Sequence, residues 1–79
     1  MNKYATKTAY EEHQHKRLLR LRDVMALVKL SKSQIYKLSS DGRFPRAIKL
    51  VEGGTTVAWL EEEVLAWIDS RVAARGEKS

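Results

Sequence analysis

Leu30-Ser31-Lys32-Ser33-Gln34-Ile35-Tyr36-Lys37-Leu38 is the stretch that decides the fold of this chain. Ser31 with Gln34 three residues on is a capping box, the signature of a helix start. Ile35 and Leu38 supply the buried side of that helix, and Asp41-Gly42 ends it, because glycine takes the left-handed C-terminal conformation at no steric cost. Upstream, Leu21, Val24, Leu27 and Val28 fall on one face of a helix of about two turns. Asp23 in its first turn suits the helix dipole, whereas Arg22 stands where a Ser, Thr or Asp cap is expected. Lys29-Leu30 interrupts the pattern. Two short helices joined by about three residues predict a helix-turn-helix.

Downstream of the second helix, Arg43-Phe44-Pro45-Arg46-Ala47 is held extended by Pro45. Ile48-Lys49-Leu50 and Val57-Ala58-Trp59 alternate in the manner of strands, and the turn formers of 51–56 lie between them. This spacing predicts a two-stranded hairpin, a small wing. Gly53-Gly54 reads either as a plain turn or as a tip that approaches phosphates closely. Glu61 to Arg75 then forms an amphipathic helix with Leu60, Val64, Trp67, Ile68 and Val72 as its stripe. Leu65 lies either at the core edge or off it, where it would offer a docking point. The fold class is mainly α with a small β-hairpin, a winged helix-turn-helix. Residues 1–16 read as a flexible arm, 17–75 as the domain and 76–79 as a frayed end.

The 79-residue chain carries a net charge of +5, unevenly spread. Residues 17–50 hold nine Lys/Arg against two Asp, whereas residues 51–79 hold three Lys/Arg against six Asp/Glu. The basic middle points to a polyanion partner, double-stranded DNA above all. A chain this short buries a modest fraction of its surface, so stability of a few kcal/mol is expected. With no cysteines there is neither a disulfide nor a thiolate metal site. No apolar run approaches the ~20 residues of a membrane span. Nor does the N-terminus read as a signal peptide. A cytoplasmic protein without a membrane partner is expected.

An enzyme finds little support. His13 and His15, with Glu11 and Glu12, are the only metal-ligand candidates, and they sit on an unpatterned arm. Glu61-Glu62-Glu63 reads as favourable charge at a helix N-terminus. No nucleophile–base pair or phosphate loop stands out, so no catalytic residue, metal or cofactor is expected.

In the second helix, Lys32, Ser33, Tyr36 and Lys37 can face outward while Ile35 and Leu38 face in. Ser33 and Gln34 suit base edges, and Lys32 and Lys37 suit phosphates or guanine. Tyr36 reads equally as a phosphate contact or as a half-buried ring over the core. On the wing and its flanks, Arg43, Arg46, Lys49, Thr55 and Thr56 are the candidate contacts.

These segments, with Gly42-Arg43-Phe44-Pro45-Arg46-Ala47-Ile48-Lys49-Leu50 and the run Val57 to Ile68 that contains Trp59 and Trp67, resemble the AlpA family. The likeness covers residues 18–75. It implies a phage- or island-encoded regulator with a winged-helix domain akin to MerR-type readers and lambda-type excisionases. It further implies a transcriptional regulator of a mobile element, an excisionase that bends attachment-site DNA, or both. Possible partners are then an integrase and further copies of the chain on DNA, in a bacterial cytoplasm. By the same resemblance the second helix enters the major groove with Ser31, Lys32, Ser33, Gln34, Tyr36 and Lys37 facing it. Arg46, Lys49, Thr55 and Thr56 become wing contacts, and Phe44 and Trp59 become core aromatics. The chain departs from the family at Lys29, where members often carry glycine. A lysine there must accept a left-handed backbone.

Overall fold

The computed structural model describes residues 16–78, and for Glu77 and Lys78 the backbone alone. Except for Lys16, the expected arm lies outside the described residues, and so does Ser79. The elements are β1 (Leu18–Leu19), α1 (Leu21–Val28), α2 (Lys32–Ser40), β2 (Ile48–Lys49), β3 (Val57–Leu60) and α3 (Glu61–Lys78).

α1 starts one residue before Arg22, with Arg20 as its extended N-cap. A guanidinium has no acceptor atom and cannot cap a helix N–H. Asp23 serves instead from inside the first turn, its Oδ2 accepting from the Arg20 N–H at 3.0 Å. Val24 is fully buried, and Leu21, Met25 and Val28 pack around it. Leu27 belongs to the expected buried face but is 41% exposed. The stripe is centred between Leu21 and Val28, so Met25 takes the flank and Leu27 rotates out at about 100° per residue.

The turn between the helices rests on one residue. Lys29 has φ 60 and ψ 35, and its N–H donates to the Met25 carbonyl at 2.8 Å. A side chain in this left-handed region costs about 1–2 kcal/mol. Lys29→Gly is therefore expected to raise the urea midpoint slightly, by up to about 1 kcal/mol once glycine's own entropy cost is set against the relief. A fall in the midpoint would show that the lysine stem contributes packing that outweighs the strain.

α2 opens and closes as its sequence dictates. The Gln34 N–H donates to Ser31 Oγ at 3.2 Å, and the Ser31 N–H donates back to Gln34 Oε1 at 3.0 Å. At the other end Gly42 has φ 76. The Arg43 N–H reaches the Leu38 carbonyl at 2.8 Å, and the Gly42 N–H reaches that of Ser39 at 3.1 Å. This is a Schellman closure.

The sheet has three strands where the sequence predicted two, in the order β1-β3-β2 and antiparallel throughout. β1 is only two residues long, too short to show a period, and it pairs with residues some forty positions on. Leu18 faces Leu60, and Leu19 faces Trp59. Ile48 faces Ala58, and Lys49 faces Val57. The wing closes through Leu50 N–H to Thr56 O at 2.9 Å and Gly54 N–H to Val51 O at 3.0 Å. Gly53, with φ 77, takes the third position of that turn, where a positive φ is required.

Because side chains alternate across a strand, Leu19, Val57 and Trp59 share the face that joins the core. That core consists of Val24, Ile35, Phe44, Trp59 and Val64. The opposite face carries Leu18 and Ile48, both exposed.

α3 follows β3 without a loop. Its first N–H, that of Glu61, donates to the Arg17 carbonyl at 2.8 Å, which ties the helix start to the residue that enters β1. Val64 is buried, and Trp67 and Ile68 pack on the core. Val72, expected in the stripe, is 53% exposed, because the helix runs past the body it packs on. Leu65 is 42% exposed and falls off the buried face. The helix continues to Lys78, past the expected end at Arg75. Among the described residues, no helix is long and apolar enough to cross a membrane.

Candidate nucleic-acid interface

α2 buries Ile35 and Ser39 and half-buries Leu38. The helical period then turns Ser33, Tyr36, Lys37 and Ser40 to the opposite side, with Lys32 exposed in the first turn. Ser31 and Gln34 are also exposed, but Ser31 Oγ and Gln34 Oε1 are engaged in the cap. Lys37 Nζ lies 3.8 Å from Asp41 Oδ2, an exposed i,i+4 pair worth a few tenths of a kcal/mol. A stronger anion can take the lysine from it.

Tyr36 is the half-covered ring over the core that one of its readings expects. Its ring lies edge-on to Trp59 with centroids 6.0 Å apart, and the residue remains 41% exposed. It also divides two shallow concavities. The first, about 380 Å³, brings Tyr36 together with Ser40 and Arg46. The second, about 740 Å³, brings Tyr36 together with Thr55, Arg20 and Arg22. Lys49 shares a sheet face with Val57, which lines that second concavity. The structure thus brings Arg46 and Thr55 beside Tyr36, with Lys49 on the strand next to Val57.

Two sequence-named residues stand differently. Arg43 lines a depression with Leu38, Trp67, Ser70 and Arg71, apart from both concavities. Thr56 is half-buried, and its carbonyl closes the hairpin. Three residues were not named from the sequence. Ser40 lies seven positions after Ser33, so helical periodicity contains the signal for it. Arg20 and Arg22 carry no such signal, since the pairing of β1 with β3 is what brings them beside the wing.

The segment between α2 and the wing is fastened by indoles. Trp59 Nε1 donates to the Pro45 carbonyl at 3.1 Å, and Ser39 Oγ donates to the same oxygen at 3.1 Å. Trp67 Nε1 donates to the Arg43 carbonyl at 2.7 Å. Phe44 packs against Trp67 with centroids 4.8 Å apart. An extended segment has no ladder for its carbonyls, and these bonds supply the partners. They also hold Arg46 and the wing root in fixed relation to α2.

Two short helices joined by a left-handed turn, followed by a hairpin whose strand β3 packs on the same core, make this a winged helix-turn-helix protein. The family model for the prophage CP4-57 regulatory protein (AlpA) matches residues 17–72. The uncharacterized protein ORF88 of Enterobacteria phage P4 is 49% identical over 59 residues, which is 75% of this chain and 65% of that protein's length. The chain belongs to the AlpA family of prophage regulatory proteins.

Proposed function

We propose that this protein regulates a mobile element by binding double-stranded DNA through residues 17–75, with α2 in the major groove and the wing against the neighbouring backbone. The observation that carries this reading is the outward side of α2. It presents Ser33, Tyr36, Lys37 and Ser40 with Arg46, Lys49 and Thr55 beside them, and carries no carboxylate of its own. Short polar side chains flanked by cations suit base edges set between phosphates. The chain acts as a transcriptional regulator, as an excisionase that bends attachment-site DNA, or as both, in the bacterial cytoplasm. An excision assay with the cognate integrase on supercoiled substrate, run beside a promoter reporter, separates the roles. Activity in the reporter alone assigns transcription.

Binding is tested by titrating duplex across salt. Affinity is expected to fall steeply as salt rises, by about 0.9 log unit per log of salt for each phosphate contacted. Flat salt dependence, or no binding at micromolar protein, would sink the reading. Within the interface, Ser33→Ala and Lys37→Ala are expected to change the ranking of DNA sites. Lys49→Ala is expected to weaken all sites by a similar factor. The reverse pattern would reassign base readout to the wing.

A second reading has its own observation. Leu65 and Val72, seven apart on α3, are both exposed on one side of the helix. They support docking of an integrase or another copy through α3, alongside DNA binding. Leu65→Glu/Val72→Glu should then reduce cooperative binding to repeated sites and leave single-site affinity alone.

A further inference from the structure

Resting on the duplex reading above, we propose that the concavity between α1, α2 and the wing seats the sugar–phosphate backbone of one DNA strand, with Arg20 and Arg22 as its principal ligands. It is lined by Arg20, Arg22 and Asp23 from the start of α1, by Tyr36 from α2, and by Thr55 and Val57 from the wing. Among the described residues, the Arg20 and Arg22 guanidiniums have no ion-pair partner, whereas Arg17 pairs with Glu61 and Lys37 with Asp41. Among the described residues, the Tyr36 and Thr55 hydroxyls likewise have no hydrogen-bond partner, although Tyr36 packs its ring on Trp59. Side chains bearing donor groups from the start of α1, from α2 and from the wing thus line one open space.

The chemistry of the missing ligand follows. Guanidiniums only donate, and their planar fork matches the paired oxygens of a phosphodiester. Asp23 is the one carboxylate in the lining, and its Oδ2 is held by the Arg20 backbone N–H. The α1 N-terminus behind it adds partial positive charge. At about 740 Å³ the space exceeds a single phosphate and is open to solvent, which suits a strand laid against it. A strand seated here has α2 on one side and the wing on the other, so each element meets a different groove. The seat sets register and affinity and carries no sequence information.

The test compares wild type with Arg20→Gln/Arg22→Gln and Arg20→Lys/Arg22→Lys by fluorescence anisotropy on a labelled mixed-sequence duplex, across a salt series. Both arginines are exposed, and thermal melts establish that the variants fold. The glutamine pair is expected to bind at least about tenfold more weakly at low salt, with the log–log salt slope flattened by about two units. The lysine pair should keep the slope, because it keeps the charge, while losing affinity with the fork. If the glutamine pair binds with the wild-type slope and affinity, the seat does not exist and duplex binding through α2 still stands. If the lysine pair flattens the slope as much as the glutamine pair, charge at these positions is not what the duplex senses, and the proposal also fails. A folded wild type that ignores duplex altogether is a different failure, that of the duplex reading itself.

Discussion

Trp59→Ala is expected to abolish cooperative folding. The residue sits in the central strand with 0% exposure and belongs to the buried cluster that forms the core. Its ring makes an edge contact with Tyr36 on α2, and it shares one buried cluster with Val24, Ile35, Phe44 and Val64. Its indole N–H fastens the Pro45 carbonyl at 3.1 Å. Removing a buried tryptophan costs about 3–5 kcal/mol. A core of this size supplies about 3–5 kcal/mol of net stability in all. The loss matches the whole, so the alanine variant should show no sigmoidal urea transition by circular dichroism. Trp59→Phe provides the contrast. It keeps most of the ring and loses the donor, but Ser39 Oγ still donates to Pro45 O at 3.1 Å. That variant should fold with its stability lowered by about 1–3 kcal/mol. An alanine variant that melted cooperatively near the wild-type midpoint would mean that Trp59 is not the hub described.

Lys32→Glu/Lys37→Glu is expected to eliminate duplex binding while leaving the fold intact. Both side chains are exposed, and neither touches the Ser31–Gln34 cap. The pair between Lys37 and Asp41 is worth a few tenths of a kcal/mol, so its loss is cheap. On DNA the same substitutions replace two attractions by two repulsions at the groove face. Affinity should fall at least about a hundredfold at low salt, taking about 1.5 kcal/mol or more per charged contact. Anisotropy on the same duplex measures this, with a thermal melt as the folding control. Wild-type affinity in this variant would remove α2 from the interface.

Much of the architecture was legible because it is local. The capping box at Ser31 and Gln34 predicted the start of α2, and Gly42 predicted its end, since both depend on residues within one helical turn. The left-handed backbone at Lys29 was expected from the resemblance alone, because the family often carries glycine at that position. Leu27 and Val72 were misplaced for related reasons. Spacing gives the angle between side chains but neither the centre of the buried stripe nor where the neighbouring body stops. The hairpin was visible as alternation, whereas β1 was not, because two residues have no period.

The interface divides along the same line. Lys32, Ser33, Tyr36 and Lys37 were named from the sequence because a helix that buries Ile35 and Leu38 must turn them outward. Ser40 was within reach of that argument and was passed over. By itself the sequence determined α2, its caps, its outward side and the excess of positive charge around it, all through backbone chemistry acting over a few residues. Only the tertiary structure decided that Arg20 and Arg22 stand beside Thr55 and Tyr36 and that Arg43 turns toward α3. The reason is that strand pairing between β1 and β3, and the indole bonds to Arg43 and Pro45, join residues far apart in the chain. No local pattern records which of them will meet.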